Sequence, residues 1–209
     1  MYHCFRLFNC SYQLLNSFNK IKLLTIVCLL SSFFSHAENT GNVKRLTWGH
    51  VYESSEPLHK WALWAAQQIE QKTNGRYVID VFPVSIMGKE AELNQSLSLG
   101  TMDIIYTGTS FASQTYSAMA LSDLPYVFRD YQHWQKFNQS DLYKDLVHGY
   151  RSASKGNQVI GNSYYGQRHL TSNKPIKTPA DMEGLKLRVP NATIFKMFPL
   201  AVGASPSPL

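Results

Sequence analysis

The chain predicts an α/β fold with parallel strand pairing, on three observations. Strand-length runs rich in β-branched and aromatic residues alternate with helix-length amphipathic runs. The links between them are short and end on Asn-Gly or Gly stops. The order strand, helix, strand, helix, strand calls for crossover helices, which return each strand in the same direction.

Taken in order, residues 43–50 (VKRLTWGH) read as the first strand. Ser54 or Ser55 is placed to cap a helix that begins near Pro57, since proline is tolerated in a first turn. Leu58, Trp61, Ala62, Ala65 and Ile69 make its apolar face, and Asn74-Gly75 ends it. Residues 77–82 (YVIDVF) are the second strand. Residues 90–99 are the second helix, with two early glutamates suiting the helix dipole and Gly100 closing it. Residues 102–106 (MDIIY) are the third strand.

Residues 121–129 are apolar but irregular around Pro125, and 131–138 and 141–150 read as a helical pair. Residues 158–164 are expected to be a further strand, running into a polar crossing at Tyr165-Gly166-Gln167-Arg168. Thr178-Pro179 starts a helix that Gly184 stops. In 185–189, Leu185, Leu187 and Val189 alternate with Lys186 and Arg188, the pattern of a half-buried strand. Pro190 stops it, Asn191 reads as the cap of a helix to about 202, and Gly203 ends that helix. The domain reading is 1–37 a targeting segment, 38–160 a first α/β lobe and 161–209 the start of a second lobe, incomplete because so few elements cannot cover both faces of a sheet.

Residues 1–37 hold Arg6, Lys20 and Lys22, no acidic residue, and a run of about 12 apolar or small residues before Ser35-His36-Ala37. A membrane span needs roughly 20, so this reads as a secretory signal peptide cut after Ala37. All three cysteines (Cys4, Cys10, Cys28) would leave with it. That removes any disulfide framework, thiolate metal site or cysteine nucleophile, and a cysteine-free exported protein fits a periplasm. Three of the 20 basic residues leave too, so 17 face 14 acidic ones. No Lys/Arg cluster then points to nucleic acid.

The chain contains no G-x-S-x-G, H-E-x-x-H, G-x-G-x-x-G or Walker A motif. His50 and His59 lie nine apart across a strand–helix junction and read as surface or cleft residues rather than a metal pair; Asp80 and Asp103 read as outward strand residues. No catalytic set, metal site or cofactor is expected. Two arginines beside turns carry the chemistry: Arg168 in YYGQRHLTSN and Arg188. Arg188 faces away from the core side of its strand and precedes Asn191 by three, so a guanidinium and helix N–H groups would share one space, a natural carboxylate site.

These stretches resemble a known family. "ADMEGLKLRVPNA" with "VGASPSP", "GQRHLTSNKPIKTPADM", "LPYVFRD", "FPVSIMGKEAELNQSLSLGTMDI" and "SSEPLHKWA" are similar to the DctP-type substrate-binding proteins of tripartite ATP-independent periplasmic (TRAP) transporters. The resemblance implies a two-lobed periplasmic binding-protein fold that hinges shut on its ligand, with the second lobe incomplete here, since family members run on past "GASPSP". It implies that Arg188 pairs bidentately with a ligand carboxylate, that Arg168 also reaches the ligand, and that Asn191 lies beside the pocket. His50, Gly108 and Thr109 complete the binding set. Sialate-type members tend to carry an asparagine near His50 and a glutamate near Gly108, so His50 and Gly108 speak against sialate. The expected function is capture of a small organic acid (sugar acid, keto acid or dicarboxylate) by a monomer, for delivery to an ion-gradient-driven permease. A periplasmic enzyme or sensor of similar fold, and a non-functional truncated remnant, are the alternatives.

Overall fold

The first strand pairs on both edges, and the rest of the first sheet is built around it. In the computed structural model, which describes residues 42–209, β1 (Lys44–Gly49) lies parallel between β2 (Tyr77–Phe82) and β3 (Ile104–Ile105). The signal peptide and its cut after Ala37 lie outside the described residues. Helix α1 (Pro57–Lys72) links β1 to β2, and α2 (Glu90–Leu99) links β2 to β3.

Alternation along β1 sends the two helices to opposite faces. On one face Leu46 and Trp48 join Ile79 and Val81 and meet Ala62 and Ala66 of α1. On the other, Gly49 lets α2 approach: a Cβ there would stand 2.8 Å from Leu93 Cδ2. Leu93 is fully buried, which contributes about 2 kcal/mol. Arg45 pairs bidentately with Asp80 (2.6 and 3.0 Å), and Asp103 accepts from the amide and hydroxyl of Thr47. Both aspartates brace the sheet.

A short helix α3 (Thr109–Ala112) and a 3₁₀ segment, Ser117–Asp123, follow β3. Helices α4 (Tyr131–Asn138) and α5 (Asp141–Ala153) then close a second core of Ala112, Met119, Phe137, Leu146 and Tyr150. Asp130 and Ser140 cap them, accepting from the His133 and Tyr143 amides. After a long irregular stretch, a 3₁₀ turn (Pro179–Met182) leads to a separate parallel pair, β4 (Lys186–Val189) and β5 (Ser205–Pro208), joined by α6 (Ile194–Ala201). Val43–Leu209 form one compact unit. Among the described residues no helix is long and apolar enough to cross a membrane.

Several expectations are corrected. Residues 158–164 form no strand, and Ile160 is 80% exposed; strand propensity is expressed only against a neighbouring strand, and none runs alongside. Glu56, not Ser54 or Ser55, precedes α1, its carboxylate accepting from the Glu53 amide. Trp61 is 61% exposed, because α1 turns His59, Ala62 and Ala66 inward instead. Small residues let the helix sit close while Trp48 fills the gap from the sheet. Asn191 is exposed and caps nothing: α6 starts at Ile194 after a tight turn in which the Ala192 amide bonds the Pro190 carbonyl. The third strand shrinks to Ile104–Ile105, the 178–184 helix to one 3₁₀ turn, and Ser205–Pro208 adds a strand that was not expected.

Candidate functional site

In parallel sheets, chemistry collects where strands end and helices begin. Three chain segments do so beside β1. His50 follows β1, Glu90 opens α2, and Gly108 and Thr109 lead from β3 into α3. The Gly108 amide donates to Glu90 Oε1 at 3.0 Å, which ties the start of α2 to the start of α3. Glu90 Oε2 has no hydrogen-bond partner among the described residues. Asp123 Oδ2 accepts from the Thr109 hydroxyl (2.9 Å) and the Ser110 amide (2.7 Å), so this carboxylate is structurally engaged.

Aromatic rings wall the same region. Tyr52 lies 5.5 Å from Tyr165 and 6.2 Å from Tyr106 between ring centres, and the Tyr165 hydroxyl donates to Glu56 at 3.4 Å. Tyr165 belongs to the crossing segment that also carries Arg168. The Arg168 guanidinium stands 4.3 Å over the Phe195 ring, and Phe195 in turn lies 6.4 Å from Phe111. A cation over a ring face is held electrostatically while its N–H fork stays available. Arg168 has no carboxylate partner among the described residues.

The electrostatics follow from burial and from the company each group keeps. Burial pushes the Glu90 carboxyl up; Asp123 adds to this, while the Gly108 amide and Arg168 oppose it. Burial likewise pushes the Tyr52 hydroxyl far up, with Glu90 and Tyr165 next in effect. Tyr165 is raised by burial and by Glu56, with Glu90 adding and Arg168 opposing. Glu90, Tyr52, Tyr165 and Arg168 therefore feel one another.

His50 and His59 do converge, with His50 Nε2 3.1 Å from His59 Nδ1 and both rings buried. Burial, then His59, pulls His50 below its usual range. No group of three or more His, Cys, Asp or Glu side chains is placed to hold a metal ion among the described residues.

The remaining sequence-derived residues lie elsewhere. Arg188 is exposed, as is Asn191, and the Arg188 Nη2 donates to the Leu209 carbonyl at 3.3 Å. A concavity of about 450 Å³ lies along β4, lined by Thr171, Ser172, Lys174, Leu185 and Lys186 among others but not by Arg188. His50, Gly108, Thr109 and Arg168 are thus gathered about one region, and no hydrogen bond or ion pair among the described residues joins Arg188 or Asn191 to it. Glu90, Asp123, Tyr52, Tyr165 and Phe195 escaped the sequence reading. Glu90 carried a signal, an acid at a helix start, but the helix dipole explained it without a site.

The chain is similar to proteins of a known family. Residues 48–209 match the DctP family, described as bacterial extracellular solute-binding protein, family 7. The chain belongs to that family of solute-binding proteins, whose named relatives include periplasmic ones. It is 32% identical over 195 residues to a solute-binding protein of Roseobacter denitrificans, covering 92% of this chain and 58% of the relative. The crystal structure of a TRAP periplasmic solute-binding protein from that organism, with bound L-galactonate, superposes with a TM-score of 0.73 at 31% identity, covering 79% of this chain and 54% of that one. The 2,3-diketo-L-gulonate-binding periplasmic protein of Escherichia coli is 26% identical, with 91% of this chain and 58% of the relative covered. The chain spans little more than half the length of these relatives.

Proposed function

We propose that this chain is the solute-binding subunit of a TRAP transporter, which captures a small organic acid (sugar acid, keto acid or dicarboxylate) and hands it to an ion-gradient-driven membrane permease. Export is by a signal peptide cut after Ala37; the protein acts in the periplasm as a monomer and catalyses no reaction. The first lobe comprises residues 38–160, and 161–209 begin the second. The observation that carries this reading is Arg168: a guanidinium without a carboxylate partner among the described residues, held over Phe195, whose ring lies near Phe111 of α3, in a chain of a solute-binding family. Arg188 contributes a second guanidinium, which reaches the ligand carboxylate when the lobes close. His50, Gly108, Thr109 and Asn191 line the approach.

Calorimetry against a panel of organic acids, on a protein that carries this chain at the full length of its relatives, tests this. We expect binding of at least one acid, weakened roughly 30- to 3,000-fold by Arg188→Lys, because losing one partner of a paired charge costs about 2–5 kcal/mol and lysine lacks the fork. An unchanged dissociation constant in that variant would remove Arg188 as the anchor. Binding of none of the acids would overturn the function itself.

A further inference from the structure

We propose that Phe195 is a positioning residue for Arg168, the ring that holds this guanidinium ready for an anionic ligand. The inference rests on the binding function proposed above and adds to its site a residue that touches the anchor and not the ligand. It starts from how little else fixes Arg168. The residue is exposed and lies in the irregular stretch before the 3₁₀ turn at Pro179–Met182, in no helix or strand. Residues 157–177 make no backbone–backbone hydrogen bond among the described residues, and no ion pair engages the Arg168 side chain. What it does meet is the Phe195 ring, whose centre is 4.3 Å from the guanidinium carbon.

Phe195 is itself well held. It is half-buried at the start of α6, next to buried Ile194. Ile194 and Pro199 are the buried residues of that helix. Phe195 and Phe198, three apart, share a neighbouring stripe and meet rings from earlier in the chain. Phe195 lies 6.4 Å from buried Phe111, tilted by 58°, and Phe198 lies 6.1 Å from Tyr126. Phe111 belongs to α3, which begins at Thr109. The ring under Arg168 is therefore tied to the same short helix that opens the candidate site.

An arginine side chain gives up much rotamer freedom when it binds, and affinity gains where that loss has already been met. The quadrupole of a ring face attracts the cation without consuming any N–H. The donor fork stays free for a carboxylate. A leucine at 195 would fill the space on α6 but would not attract the cation, so packing and positioning make different demands on this residue.

The test uses a protein that carries this chain at the full length of its relatives. The probes are succinate, pyruvate and D-gluconate, one from each class of acid proposed above, measured by calorimetry. Phe195 is replaced by its 3,4,5-trifluoro analogue, which keeps the ring but removes the negative character of its face, and separately by leucine. Both should weaken binding of the acid that binds by about two- to thirtyfold, the range of a cation–π contact. Phe195→Tyr keeps the aromatic face and should stay within about twofold of the unaltered protein. The Arg168 side-chain Nε–H resonance, assigned through Arg168→Lys, should shift in ligand-free Phe195→Leu as the ring current is lost. Unchanged affinity in the trifluoro protein overturns the role, because a ring that merely packs α6 against α3 is insensitive to fluorination. Tighter binding overturns it too, since that is the sign expected if the ring touched the anion directly. An unmoved Arg168 resonance in Phe195→Leu has the same consequence. Each of these leaves the binding function standing. Failure of the unaltered protein to bind these three acids or any other acid of the panel defeats the binding function, and this inference with it.

Discussion

His50 shows how much a single residue depends on what surrounds it. In the sequence it is one more histidine beside a strand. In the fold its ring is fully buried, bonded through Nε2 to His59, with Nδ1 lacking a hydrogen-bond partner. Protonation would place a charge there with Glu56 as the favourable neighbour and His59 as the unfavourable one. Because its folded-state pKa lies below the usual 6.5, the unfolded chain takes up the proton first. His50 therefore contributes stability that is fully present above about pH 6.5 and is lost as pH falls from there through its lowered value. The melting temperature is expected to fall as pH drops below about 6.5, and His50→Gln should flatten the fall. An identical profile for the variant would show that the pair does not govern acid stability.

At the level of elements, helices with clear caps and stripes were legible. The bounds Pro57–Lys72, Glu90–Leu99, Tyr131–Asn138 and Asp141–Ala153 lie close to those expected; for the first two, Pro57, the early glutamates and the glycine stops are local signals. Most of the inward face of α1 was legible, since Ala62, Ala65 and Ile69 lie in or against the core, but Trp61 stays outside it. Helix α5 holds a similar case. A Cβ at Gly149 would stand 2.6 Å from the Tyr116 ring, and Tyr116 packs against the core of Ala112, Met119, Phe137, Leu146 and Tyr150. Alanine normally gains about 1 kcal/mol over glycine within a helix, but forcing a packed ring aside costs about 1–3 kcal/mol. Gly149→Ala is expected to destabilise by about 1 kcal/mol in urea unfolding. A stabilised variant would mean that the ring moves freely.

Across the whole molecule, stability should be uneven. The first sheet has three strands and is covered by α1 and α2 on opposite faces. The second is a pair of strands in which Pro206 and Pro208 offer no amide, and two-stranded sheets are marginal alone. Native-state hydrogen exchange should show the Ser205 and Ser207 amides exchanging at least about tenfold faster than those of Leu46 and Trp48; equal protection would show that the two sheets open together. Hydrophobic period, caps and turn residues were enough to determine an α/β chain with parallel pairing and most helix bounds, and motifs such as GLKLRVPN carried the family resemblance, because each is written within a few neighbouring residues. Tertiary structure alone decided that His50 meets His59, that the Gly108 amide meets Glu90, and that residues 158–164 form no strand. Those outcomes depend on contacts between segments far apart in the chain, and local pattern carries no information about which distant surface a side chain will meet.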